Sequence, residues 1–163
     1  MRIALDSTIL VRAHQKATGP ARALLLELLE DGHRLILSGT ILEELERVLY
    51  YPRLQQRSKL TPHEITGYLA FLAASAQIVQ IDEALAPPIR DPQDVHVLQA
   101  ALAGSAQYLC TLDQHFYERR VVAFCSGRGL SMISDVALLA LIRGTSSPVS
   151  AAPTSPPPSR GNR

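Results

Sequence analysis

Short apolar runs, each ending at a polar or acidic position, alternate along this chain with longer stretches in which leucine, isoleucine and valine recur every three to four residues. The first run, Met1-Arg2-Ile3-Ala4-Leu5, stops abruptly at Asp6-Ser7-Thr8. An apolar run of that length reads as a buried parallel strand carrying Asp6 at its carboxyl end. A short helix is expected over Thr8 to His14, and Gly19-Pro20 restarts the chain into a helix over Ala21 to Glu30, striped by Leu24, Leu25, Leu28 and Leu29. His33 to Leu37 reads as a second strand. Ser38-Gly39-Thr40 caps a helix running to Leu49, which Pro52 then marks as ended. Thr61-Pro62-His63-Glu64 has capping-box spacing with proline at the first helical position, which predicts a helix through Ala74. Further strands are expected at Gln77 to Ile81, Tyr108 to Thr111 and, at an edge, Leu130 to Ile133. Further helices are expected from Asp91-Pro92-Gln93-Asp94 to Ala103, closed by Gly104, and from the Ser134-Asp135 cap to Ile142. Strands alternating with helices imply a central parallel sheet of four to five strands covered on both faces, hence a three-layer α/β/α domain over residues 1–143. From Gly144 the composition turns to Ser, Pro and Ala, and residues 144–163 are expected to be a disordered tail.

This pattern puts acids where strands and helices meet. In an open parallel sheet, ligands bind at the carboxyl edge of the strands. Asp6 ends the first strand and Asp113 follows the fourth. Either could simply cap the element after it, but a carboxylate so close to the core is costly unless a cation or donors meet it. On the helix after the second strand, Ile41, Leu42, Leu45, Val48 and Leu49 define the inward stripe. Glu43 points away from that stripe, toward Arg47 one turn on. Glu44 and Glu46 flank it, and Glu44, nearer the helix start, is the better placed for the edge. Asp91 serves as the cap of its helix, which leaves Asp94 for a site. Four acids converging on one edge, Asp6, Glu44, Asp94 and Asp113, repel one another and require neutralisation. Oxygen ligands of this kind suit Mg²⁺ or Mn²⁺ rather than zinc. Phosphoryl transfer is the chemistry that most needs such ions, because they activate water and stabilise a leaving oxygen.

Composition narrows the choice. With 47% apolar residues the chain can fill one core, and it has no long charge-free apolar run to cross a membrane and no signal-like start, so a cytoplasmic location is expected. Cys110 and Cys125 lack metal-ligand spacing and read as buried thiols. Setting aside Arg160 and Arg163 of the tail, 14 basic residues face 15 acidic ones, so a nucleic-acid partner would be met by local arginines and bound cations, not by the whole protein's field. Tyr50-Tyr51-Pro52-Arg53 with Arg57 and Lys59 mixes aromatic and basic residues as a single-strand RNA surface would, although the same residues also suit a solvated helix face. Arg12 and Lys16, near the acids, and the Arg119-Arg120 pair are further candidates. The five histidines are scattered, and His96, two residues past Asp94, faces away from it on a helix, so none is given a role.

Four segments together resemble the PIN-domain nucleases, especially toxin components of bacterial toxin–antitoxin systems. They are Ile3-Ala4-Leu5-Asp6-Ser7-Thr8-Ile9-Leu10, Leu42-Glu43-Glu44-Leu45-Glu46-Arg47-Val48-Leu49 with Pro52, Arg90-Asp91-Pro92-Gln93-Asp94-Val95-His96-Val97-Leu98 with Ala100-Ala101, and Thr111-Leu112-Asp113. The resemblance spans Met1 to about Arg143. It implies a metal-dependent ribonuclease whose acidic quartet, here Asp6, Glu44, Asp94 and Asp113, binds Mg²⁺ or Mn²⁺. It also implies homodimers and a tightly bound antitoxin protein. The family often has Asn where this chain has Thr8, whose hydroxyl, with that of Ser7, can still hydrogen-bond a carboxylate. Two other functions use a similar scaffold. A phospho-accepting signalling domain gathers acids at strand ends but normally keeps a lysine on the last strand, whereas the lysines here are Lys16 and Lys59. A non-catalytic PIN-like interaction module is the second alternative, and the intact set of acids argues against it.

Overall fold

The computed structural model describes residues 1–146. Five strands, β1 (Arg2–Leu5), β2 (Arg34–Ser38), β3 (Gln77–Val79), β4 (Tyr108–Cys110) and β5 (Ser131–Ile133), form one sheet in the order β3-β2-β1-β4-β5. All neighbours are parallel, as a chain that interposes helices between its strands requires. The helices are α1 (Ser7–Val11), α2 (Pro20–Glu30), α3 (Gly39–Leu49), α4 (Pro52–Ser58), α5 (Pro62–Ser75), α6 (Val95–Ala103), α7 (Arg119–Ser126) and α8 (Asp135–Ser146), with 3-10 turns at Pro92–Asp94 and Gln114–Tyr117.

Side-chain alternation along the central strands divides the core in two. Ile3 and Leu5 on β1, with Leu35 and Leu37 on β2, pack under α1, α2, α3, α5 and α8. Ala4, Ile36 and Leu109 face the opposite way, under α6, α7 and Phe116. This is the expected three-layer α/β/α arrangement. All of these core positions are fully buried, so the central strands are apolar on both faces and their polar residues are confined to the ends.

Local signals set the element boundaries. The Ser38 hydroxyl accepts from Ile41 N at 3.2 Å and starts α3. At α5 both halves of the capping box form: Thr61 Oγ1 accepts from Glu64 N at 3.2 Å, and Glu64 Oε2 accepts from Thr61 N at 2.8 Å. Gly104 closes α6 in an ordinary right-handed conformation (φ −78). Glycine suits it because a Cβ there would run into Ile36 Cγ2 on β2; the left-handed turn falls to Ser105 (φ 49).

Three regions depart from the expected elements. Pro52 does more than end α3, since it opens α4, a helix without buried residues. The stretch between the fourth and last strands, for which no helix is expected, contains α7, held down by Val121 and Cys125. The last helix runs through Gly144 to Ser146, with the Thr145 hydroxyl donating to the Ile142 carbonyl at 2.8 Å, so the change in composition at Gly144 precedes the helix end. The rest of the expected disordered tail, 147–163, lies outside the described residues. Among the described residues no helix is long and apolar enough to cross a membrane.

Candidate metal centre

The carboxyl ends of β1 and β4 open onto one edge of the sheet. Asp6 continues β1 by one residue, its N–H still donating to the Cys110 carbonyl at 3.1 Å, and its side chain is only 4% exposed. It precedes α1 without capping it. Its carboxylate instead accepts from three hydroxyls: Ser7 Oγ at 3.3 Å, Thr8 Oγ1 at 2.9 Å and Thr111 Oγ1 at 2.8 Å. Three donors of this kind offset the water that a buried carboxylate loses. Thr111 also accepts from Asp113 N at 3.1 Å, so one hydroxyl ties the ends of β1 and β4 together.

Asp113 Oδ1 accepts from His115 N at 2.9 Å and caps the following 3-10 turn, so Asp113 has the capping role that was open for it in addition to its place at the edge. On the other side of the edge, Asp91 Oδ1 accepts from Gln93 N at 2.9 Å, as expected of a cap. The helix it opens begins as a 3-10 turn, which leaves Asp94 at the first residue before α6. Burial, followed by the charges of Asp113, Asp91 and Asp6, pushes the Asp94 carboxyl up to about 6, with His115 pulling the other way. Its Oδ2 is buried without a hydrogen-bond partner. These mutual effects gather Asp6, Asp91, Asp94 and Asp113 at one place.

Glu44 stands on α3, half-buried, while Glu46 is exposed, in keeping with the better position of Glu44. Glu44 is not among the charges acting on Asp94. It is joined to that side of the site through His96 of α6, whose Nε2 lies 3.0 Å from Glu44 Oε2. A cleft of about 440 Å³ beside the pair is lined by Thr40, Glu43, Glu44, Arg47, Gln93 and His96.

Four participants were not visible in the sequence pattern as site residues. His96 does turn from Asp94, but toward a different acid. His115 Nδ1 lies 3.5 Å from both Asp94 Oδ2 and Asp113 Oδ1. Thr111 joins two acids. Asp135, expected as part of a cap, leaves that role to Ser134, whose Oγ accepts from Ala137 N at 3.3 Å. Asp135 is 2% exposed and lies 3.3 Å from Arg12 Nη1. Burial and the charges of Asp135 and Asp6 push the Cys110 thiol up, which puts Asp135 beside the same strand end. The signal for it is the one that marks Asp6 and Asp113: an acid within three residues of a strand end.

Of the candidate contact residues, Arg12 is thus already paired. Arg57 is exposed and lines a cleft of about 360 Å³ with Arg12, His14, Lys16 and Leu54. The Lys16 amine is engaged by Glu64 Oε2 at 2.8 Å and the Lys59 carbonyl at 2.9 Å. Arg53 is exposed on α4.

An oxygen-rich cluster with one orphaned buried carboxylate oxygen fits a divalent cation, and Asp91, Asp94 and His115 each offer a ligand atom within 4.8 Å of the others. A parallel α/β sheet with carboxylates gathered at its carboxyl edge thus defines a domain suited to cation-dependent chemistry. A family model for the PIN domain matches residues 2–115, well over half the chain, and the chain belongs to that family. The fold is similar to that of a solved structure, VapBC2 from Rickettsia felis bound to a DNA fragment from their promoter, at a TM-score of 0.54 and 17% identity, covering 82% of this chain and 98% of that one. No curated protein matches it in sequence.

Proposed function

We propose that this PIN-domain protein is a metal-dependent endoribonuclease that hydrolyses RNA phosphodiester bonds and serves as the toxin of a toxin–antitoxin pair. The observation that carries the reading is the cluster of Asp6, Asp94 and Asp113 at the carboxyl edge, with Asp94 Oδ2 buried and without a hydrogen bond. Membership of the PIN family and a fold like that of VapBC2 support it. Asp6, Glu44, Asp94 and Asp113 would hold the cation, Mg²⁺ or Mn²⁺. Bound there, such an ion would activate water and offset charge on the phosphate. Asp6 is oriented by the hydroxyls of Ser7, Thr8 and Thr111, and His96 fixes Glu44. Asp113, pinned by its cap to His115 N, would hold a further ion or orient the attacking water.

The substrate side is read from exposure and charge. Arg57, with Arg12 beside it, lines a cationic cleft suited to phosphates. Tyr50 and Tyr51 are 45% and 47% exposed and precede exposed Arg53, a combination suited to stacking and holding an unpaired strand. An antitoxin protein, a homodimeric state and a cytoplasmic site of action complete the reading. PIN-family membership sets aside the phospho-accepting signalling domain.

The test is cleavage of labelled single-stranded RNA by the purified chain with Mn²⁺ or Mg²⁺, beside EDTA and Asp6→Asn. Cutting that needs both the ion and Asp6 is expected. Intact RNA across several RNA classes, with no cation binding by calorimetry, would leave a non-catalytic interaction module as the function.

A further inference from the structure

The histidine beside the acids changes what kind of cation this edge should prefer. One ring nitrogen of His115 and one carboxylate oxygen each of Asp91 and Asp94 lie within 4.8 Å of one another. Octahedral coordination at roughly 2.1 Å sets neighbouring donors roughly 3 Å apart and opposite ones roughly 4 Å apart. The three groups are therefore nearly at the spacing of one coordination sphere.

The surroundings of each donor point the same way. Asp91 uses Oδ1 to cap Gln93, which leaves its second oxygen for another task. Asp94 Oδ2 is buried without a hydrogen bond. His115 Nδ1 stands 3.5 Å from Asp94 Oδ2 and 3.5 Å from Asp113 Oδ1, close enough to face both acids but too long to be locked to either by a hydrogen bond. The backbone beneath the ring is fixed, because His115 N donates to Asp113 and the next residue, Phe116, is fully buried. The ring itself is about half exposed and free to turn its nitrogen by the small amount required.

We propose that His115 supplies an imidazole nitrogen to a cation shared with Asp91 and Asp94, making this a mixed oxygen–nitrogen site that selects first-row transition ions over Mg²⁺. The inference rests on the cation-dependent reading above. Mg²⁺ is hard and favours oxygen donors, whereas affinity for a site containing imidazole rises from Mn²⁺ onward through the first-row series. A site of carboxylates alone would show that preference more weakly.

The experiment uses the full chain without RNA, Mn²⁺ as the probe, and pulsed EPR to detect nitrogen coupled to the bound ion. Wild-type protein is expected to show the nitrogen signal, and both His115→Ala and His115→Gln to lose it. Loss of the imidazole should weaken Mn²⁺ binding about 10-fold, as for groups that support a metal site, and change Mg²⁺ binding, measured by competition, by less than about 3-fold on the same scale. Mn²⁺ bound to wild-type protein without nitrogen coupling would overturn the inference and leave the nuclease reading intact. Nitrogen coupling that survives in both variants and disappears in His96→Ala would overturn it too, by assigning the nitrogen to the ring beside Glu44. Equal losses for Mn²⁺ and Mg²⁺ in the His115 variants would reduce the residue to a support for the acids. Failure to bind either ion would overturn the parent reading together with this one.

Discussion

At the end of β1, Asp6 accepts hydrogen bonds from three hydroxyls, whereas at the foot of α6 Asp94 keeps one buried oxygen with no hydrogen bond. The two acids occupy the same edge of the sheet under opposite conditions. Asp6 is placed by the strand ladder, and the dipoles around it form as β1 and β4 pair. Asp94 sits in a turn among Asp91, Asp113 and Asp6, where burial and like charge disfavour its ionised form. One half of the edge is therefore completed by folding, and the other holds unrelieved charge that a cation would neutralise. Charge crowded in this way is what a site built to take a cation would present.

The largest effect expected on this contrast comes from Thr111→Val. The substitution keeps shape but removes the donor to Asp6 Oδ2 and the acceptor for Asp113 N, both in a fully buried position. A loss of about 1–3 kcal/mol is expected, the cost of leaving a buried polar group short of a partner, read as a lower urea midpoint. Thr8→Val, at an exposed position, should cost less. Equal losses from the two would show that the hydroxyl cage is not what holds Asp6.

A smaller change of opposite sign is expected at Asp94. Its carboxyl, at about 6 in the folded protein, stands above its ordinary 3.8, so the folded state favours the protonated form. The penalty is absent below about pH 4, grows as pH rises toward 6, and is fully present above 6. In metal-free protein Asp94→Asn should raise stability above pH 6 by on the order of 1 kcal/mol after allowing for solvent screening, or about 2–4 °C in Tm. It should leave Tm unchanged at pH 4. Added Mn²⁺ should raise the Tm of the wild type more than that of the variant. A variant less stable than wild type at pH 7.5 without metal would remove the contrast with Asp6.

The smallest effect belongs to the cationic flank. Arg57 is exposed in the cleft beside Arg12, so Arg57→Ala should lessen the slope of log RNA affinity against log salt by about 0.7, one phosphate contact for a single strand. Cleavage at saturating RNA should be unchanged. A fall in that saturated rate with an unaltered salt slope would move Arg57 out of the phosphate path.

Much of this edge is legible in local pattern. Asp6 and Asp113 stand out because an acid within a few residues of an apolar strand's end lies near the core, and Glu44 because it flanks an inward helical stripe on its leading side. Asp91 reads correctly as a cap from Pro92 and the spacing to Asp94. The same habit of reading acids as caps hid Asp135, although Ser134 does the capping. Helical periodicity reports which residues share a face of one helix, and on that measure His96 turns from Asp94, as it does. It carries no information about α3, where His96 finds Glu44. The α7 segment carries no such signal, since it follows a 3-10 turn and its first turn has no side-chain cap.

The sequence by itself determined the alternation of strands and helices, the capping of α3 and α5, and the carboxylates delivered to strand ends, because each depends on residues within about a turn of one another. Only the tertiary structure decided how the acids are treated once there. Thr111 reaches Asp6 across 105 residues and His96 reaches Glu44 across 52. Contacts of that kind follow from strand order and helix docking, and the same order sets which charges crowd Asp94 and leave its buried oxygen without a donor.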